Sequence, residues 1–226
     1  GSVTFAASPY SLADLGTTDT YTITEVPGDE SGWIYDGKSV TLTVTLTDNG
    51  DGTLTAAPTY SDSTAFLNTY TATGAWNPAA RKLLTGRELA AGEFTFNVLL
   101  GTDVVSTGTN DANGNITFTP AIPYDEDDIG KRFVYSIVEV PGSETNMRYD
   151  PMTLRVNVDV TDAGNGSLTV TPHYPADVTF NNTFIASGTW IPEVYKDFQA
   201  GGRALEAGMF SFEMSGGDLA APITAT

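Results

Sequence analysis

A period of two governs most of the chain. Phe94, Phe96 and Val98 alternate with polar neighbours, as do Phe133, Tyr135 and Ile137, and Leu154, Val156, Val158 and Val160. Such spacing sets one apolar row on one face of a pleated strand, the pattern of a half-buried sheet. Asn49-Gly50, Asp51-Gly52, Asn113-Gly114 and Asn165-Gly166 fall between the runs and are hairpin dipeptides. No segment carries a helical stripe, and only one short helical turn is expected, around 83–91. The pattern predicts an all-β sandwich with Greek-key-like strands.

The strands repeat. YTITEV at 21–26 returns as YSIVEV at 135–140, and the Tyr-Asp pair at 35–36 returns at 149–150. LTDNGDGTLT at 46–55 returns as VTDAGNGSLT at 160–169, FLNTY at 66–70 as FNNTF at 180–184, and GAW at 74–76 as GTW at 188–190. Every pair is separated by 114 residues. RELAAGEFTF at 87–96 returns as RALEAGMFSF at 203–212 with two residues inserted, and GSVTF at 1–5 aligns with GNITF at 114–118. The phase divides the chain into a rear half-copy at 1–70, a complete copy at 71–184 and a front half-copy at 185–226. Each half-copy carries an apolar face and unpaired strand edges, so neither is expected to fold alone. Together they amount to nearly one domain; a longer tandem array sampled out of phase gives the same pattern.

Composition narrows the chemistry. There is no cysteine and one histidine, His173, which removes disulfides, thiolate nucleophiles and Cys- or His-paired metal motifs and leaves a Ser-His-Asp triad without support. Ten basic residues against 28 acidic ones give a formal charge of -18, a field that repels nucleic acid and anionic membrane. A hydrophobic content of 40% suffices for a packed core. No apolar run nears the roughly 20 residues of a membrane span, and no signal peptide opens the chain. Richness in Thr, Gly and Asp with few Lys and Arg favours the mature part of an exported protein over a cytosolic one.

Three polar residues of the complete copy fall among apolar positions. Lys82 precedes the first strand, Glu139 ends the strand FVYSIVEV, and Asn182 lies in the last strand, TFNNTF. Glu25 and Asn68 are the counterparts of Glu139 and Asn182 in the first half-copy, and Lys196 is the counterpart of Lys82 in the last. The chain has four lysines, so two of them at one repeat position is informative. By residue type and spacing alone, an ordinary salt bridge with a strand-end side-chain hydrogen bond explains the trio better than a reactive set does.

These motifs taken together, K-x-L-x-G-x-x-L-x-A-G-x-F-x-F at 82–96, Y-x-I-x-E-V at 135–140, Y-D at 149–150, D-x-G-x-G-x-L at 162–168 and F-N-N-T-F at 180–184, resemble one family. It is the Gram-positive pilin isopeptide-linkage domain of streptococcal major pilins and of tandem surface-adhesin arrays. The resemblance implies a bond from a first-strand lysine to a last-strand asparagine, assisted by a buried carboxylate. The matching residues are Lys82, Asn182 and Glu139; Asn182 is taken over Asn181 because it aligns with Asn68. The chemistry is physically reasonable. Burial lowers a lysine's pKa and frees its nucleophilic form, while a carboxyl buried beside it stays protonated and can donate to the carboxamide oxygen. Ammonia leaves, and the step is a single turnover on the protein itself rather than enzymatic catalysis of a substrate.

The reading that follows is an all-β chain of tandem Ig-like sandwiches, one complete and flanked by two complementary half-domains, forming a structural segment of a bacterial surface fibre or pilus. The expected partner is the chain itself, head to tail, with Lys196 of one chain joined to Asn68 of the next beside Glu25. No cofactor, nucleic acid or membrane insertion is expected, and the location is the cell surface. A rival reading is an adhesin repeat that binds a host ligand through loops 101–113 or 124–130. A hydrolase ranks third, for want of a recognisable base and nucleophile. Trp190, Val194, Tyr195 and Lys196 are also similar to the pilin motif whose lysine sortase uses, but the shared register of Lys196 and Lys82 favours the cross-link. The acidic run 125–128 reads as a solvated loop before a calcium site, Trp76 and Trp190 as packing at an inter-domain joint before a carbohydrate site, and His173 as exposed and inert.

Overall fold

Each alternating run becomes a strand. The computed structural model describes residues 1–197, 199, 201, 204 and 206–226, in two compact units, 1–186 and 187–226. Residues 203 and 205, which open the third copy's RALEAGMFSF, lie outside the described residues.

The first 70 residues hold β1 (Thr18–Thr24), β2 (Trp33–Ile34), β3 (Ser39–Asp48), β4 (Leu54–Tyr60) and β5 (Thr69–Tyr70). β1, β3 and β4 form an antiparallel sheet in that order, and β2 pairs with β5. The next stretch holds β6 (Gly74–Trp76), β7 (Ala79–Thr85), β8 (Thr95–Leu100), β9 (Asp103–Asn110), β10 (Asn115–Thr119) and β11 (Ile122–Tyr124). It continues with β12 (Arg132–Val140), β13 (Met147–Arg148), β14 (Thr153–Asp162), β15 (Leu168–His173) and β16 (Thr179–Phe184). Nine of these strands make one sheet, ordered β13-β16-β7-β10-β9-β8-β12-β14-β15, while β6 pairs with β11. The long sheet curls over a core that includes Phe96, Val98, Tyr135, Ile137, Val156, Val158 and Phe180. The unit 187–226 contains a hairpin of β17 (Phe212–Met214) and β18 (Ile223–Ala225).

The repeat is visible in the pairing. Tyr21 faces Leu42 across β1 and β3, as Tyr135 faces Val156 across β12 and β14. Leu46 faces Ala56 across β3 and β4, as Val160 faces Val170 across β14 and β15. β12 has a second neighbour, β8, whereas β1 among the described residues is an edge strand. Lys82 lies inside β7 rather than ahead of it: β7 alternates Ala80, Lys82 and Leu84 inward, so the strand starts earlier than an apolar row alone suggests. No helical turn forms at 83–91. Thr85 ends β7, and Glu93 ties the loop by accepting from the Ala90 N–H and the Arg87 guanidinium. The 3-10 turns occur at Leu12–Asp14 and Glu126–Asp128, each opened by a capping box from Ser11 or Asp125. The acidic run at 125–128 thus spends Asp125 and Asp128 on its own backbone.

Residues 71–73 tie the start of β2 to the start of β15 by main-chain bonds on both sides. The Thr71 N–H donates to Gly32 O at 2.8 Å; the Thr73 N–H donates to Gly166 O at 3.2 Å, and Leu168 N–H donates to Thr73 O at 2.8 Å. Tyr70 packs at a tilt against Trp33, gives its hydroxyl proton to Asp162 at 2.8 Å and accepts from the Gly166 N–H at 3.2 Å. Gly32, at φ +88, touches Gly166 so closely that a Cβ would stand 2.8 Å from the Gly166 Cα. Trp76 is not part of this joint: it is buried in the aromatic core against Tyr135 and Tyr174.

Candidate cross-linking site

The parallel pairing of β7 with β16 sets Phe180 opposite Lys82 and Asn182 opposite Leu84. Lys82 and Asn182 both point inward, so they are neighbours on the buried face. Glu139 reaches them from β12, across the curl of the sheet. Its Oε2 accepts from Lys82 Nζ at 2.8 Å, and its Oε1 accepts from Asn182 Nδ2 at 2.6 Å. The Lys82 and Glu139 side chains are both fully buried. The Lys82 amine sits over the Phe94 ring, 4.5 Å from its centroid, with Phe96 at 5.8 Å. Burial pushes the Lys82 ammonium below the ordinary lysine range, and this outweighs the opposing pull of the Glu139 bond. The trio is therefore arranged with one carboxylate bridging the amine and the carboxamide nitrogen.

Asn182 Oδ1 accepts from the Asp150 N–H at 2.9 Å rather than from Glu139. The family resemblance implies a carboxyl donating to that oxygen; in the structure a main-chain donor polarises it, and Glu139 faces the carboxamide nitrogen. Asp150 earns its own place by accepting from the Asn181 and Met152 N–H groups, which fixes the turn that aims its N–H. The sequence signal for Asp150 was the repeated Tyr-Asp pair, but repetition alone assigned it no task.

The first half-copy reproduces the arrangement without a lysine. Asn68 Nδ2 donates to Glu25 Oε1 at 2.6 Å, and Asn68 Oδ1 accepts from the Asp36 N–H at 2.9 Å. Glu25 Oε2, the counterpart of the oxygen that holds Lys82, is buried and has no hydrogen-bond partner. Lys38 stands elsewhere, over the Phe66 ring at 4.8 Å and bonded to Ala65 O. In the unit 187–226, Lys196 Nζ donates to Asp197 O at 2.7 Å and lies 5.2 Å from the Phe210 ring centroid. Trp190 is 79% exposed there. His173 is exposed, and its Nε2 pairs with Asp159 at 3.0 Å, beside the bidentate Arg132.

The family model of the Spy0128-like isopeptide containing domain (FctA) matches residues 1–71 and 78–185. The chain belongs to that family. Membership sets it among the pilin-type domains, with a structural role in a pilus or surface fibre and a place at the cell surface. No curated protein matches the chain. Among the described residues no helix is long and apolar enough to cross a membrane, and no cluster of three or more His, Cys, Asp or Glu could hold a metal ion.

Proposed function

We propose that the chain is a fibre subunit that welds its own sandwich by an amide between Lys82 and Asn182. The observation that carries this is the buried bridge from Lys82 through Glu139 to Asn182. Glu139 takes a proton from the Lys82 ammonium, and the neutral amine attacks the Asn182 carboxamide carbon while the Asp150 N–H holds the developing oxyanion. Glu139 returns the proton to the departing nitrogen and accepts the remaining proton of the attacking one. The C–N bond to Nδ2 breaks, and the products are one amide and one ammonia, with the last proton left on Glu139. Fixed geometry converts an unfavourable bimolecular step into a local one. The weld ties β7 to β16, so tension along the chain falls on a covalent bond instead of a hydrogen-bond ladder.

The same chemistry extends to assembly. Residues 1–70 and 185–226 are complementary parts of one sandwich, and the buried, unpartnered Glu25 Oε2 beside Asn68 supports a lysine arriving there from another segment. Lys196 of a second chain fits that role, giving a head-to-tail fibre. Intact mass under denaturing conditions, with a boiled gel beside it, tests both steps. Loss of one ammonia from the monomer is expected for Lys82–Asn182, and boil-resistant multimers, one further ammonia lost per joint, for Lys196–Asn68. An unshifted monomer mass would sink the cross-link.

A further inference from the structure

The complete copy shows how its front segment is seated. Gly74 and Trp76 of β6 pair with Tyr124 and Ile122 of β11. Gly74 lies so close to Leu168 and Val170 that a Cβ would stand 2.9 and 3.0 Å from their side chains. Trp76 inserts between Tyr135 and Tyr174, at centroid distances of 4.9 and 6.2 Å, and donates its indole N–H to the Tyr174 hydroxyl at 3.1 Å. The Tyr124 hydroxyl closes the pocket on that of Tyr135 at 2.9 Å. Trp76 ends 3% exposed.

Most walls of that seat recur in residues 1–70, though Ser8 stands where Ile122 pairs with Trp76. Tyr10, Tyr21, Leu54, Ala56 and Tyr60 stand at the positions of Tyr124, Tyr135, Leu168, Val170 and Tyr174. The tyrosine pair is already formed, with the Tyr10 and Tyr21 hydroxyls 3.1 Å apart. Tyr21 and Tyr60 are nevertheless 39% and 45% exposed. A cavity of about 310 Å³ opens between Tyr10, Leu12, Leu46, Leu54 and Ala56. The matching plug is present in the sequence: Ala186, Gly188 and Trp190 repeat Ala72, Gly74 and Trp76.

We infer that this cavity is a docking site for the segment 186–190 of a second copy of the chain. The inference rests on the half-domain reading and adds to it a non-covalent step with its own residues. Gly188 lies against Leu54 and Ala56, and Trp190 enters between Tyr21 and Tyr60 with its indole N–H on the Tyr60 hydroxyl. Docking fixes the register, and six residues further on Lys196 is delivered to Glu25 and Asn68. Leu12 replaces Glu126, whose carboxylate holds the Ala72 N–H in the complete copy; the new seat is more apolar at that edge. Buried tryptophan anchors of this kind dominate interface energies.

Sedimentation equilibrium of the 226-residue chain carrying Lys196→Arg tests the step, since this variant cannot form the covalent joint. Concentration-dependent association is expected, weakened at least about ten-fold by Trp190→Ala and equally by Ala56→Phe, which fills the cavity from the other side. The loss of one ammonia at Lys82–Asn182 reports in each variant that the complete sandwich has folded. Association untouched by Trp190→Ala would overturn the docking site and leave the half-domain reading standing. No association of the Lys196→Arg parent at any concentration would overturn both. A monomer whose Trp190 emission is already that of a buried indole at every concentration would place the segment within its own chain, against the inference.

Discussion

A lysine amine with no exposed surface, lying on a phenylalanine face, is costly as a cation and reactive as a neutral amine. Glu139, at 2.8 Å, makes the position tolerable, and in the mechanism proposed above it also carries the proton. Lys82→Ala and Asn182→Ala should therefore each keep the mass of the unwelded chain and lose stability. The proposed weld would close a loop from residue 82 to residue 182, and by the loop-entropy account closure over such a length contributes about 4.7 kcal/mol; chemical denaturation beside intact mass checks this. Glu139→Ala should also stay unwelded while retaining both reacting side chains. Asp159 gives a second residue-level test. Arg132, with help from His173, holds its carboxyl down at about 2. A carboxylate whose folded value lies below its unfolded one contributes stability above the unfolded value near 3.8, and the contribution fades as pH falls through about 2. Asp159→Asn should flatten the melting-temperature profile between those limits and lower its plateau at neutral pH.

At the level of strands, the weld depends on how β7 is held. Its parallel partner β16 carries the asparagine, and on the other side Lys82 is pinned by main-chain donation from its N–H to Gly114 O at 2.7 Å. Gly114 has φ +81, and a Cβ there would lie 2.1 Å from Lys82 O. Gly114→Ala should cost on the order of 2 kcal/mol and slow ammonia loss, measured by mass at intervals after refolding, because β7 must shift to make room. Much of this was legible beforehand. The period of two marked β8, β12 and β14, and the 114-residue repeat picked out Lys82, Glu139 and Asn182 as positions of interest. The start of β7 was not legible, because an inward lysine interrupts the apolar row that announces a strand. Nor was the contribution of Asp150: a backbone N–H has no residue-type signature, and only the turn built by its carboxylate aims it. Asn165-Gly166 read as a plain hairpin, since nothing local reveals that Gly166 is pressed against a glycine 134 positions away.

For the unit 1–186 as a whole, that glycine pair marks where the turn before β2 meets the turn before β15. The Tyr70 hydroxyl, the Gly32–Gly166 contact and the bonds of residues 71–73 fix the linker on both flanks. Two cysteines introduced on Thr43 and Thr171 would be the only thiols in the chain, so paired spin labels would read the joint cleanly. A single narrow distance is expected, broadened by Tyr70→Phe combined with Gly32→Ala; an unchanged width would show that the linker alone sets the geometry. The residues that make this joint are not repeated in the sequence 114 positions on. There Phe184 replaces Tyr70 and brings no hydroxyl, and Asn146 replaces Gly32 and brings a side chain. Welds govern whether a fibre snaps, but the joints govern how it bends. A fibre of the kind proposed, in which this joint alternates with one lacking its hydroxyl and its glycine contact, would yield sideways at regular intervals, like a chain of paired beads, shedding shear by folding at one kind of joint while the other keeps its angle.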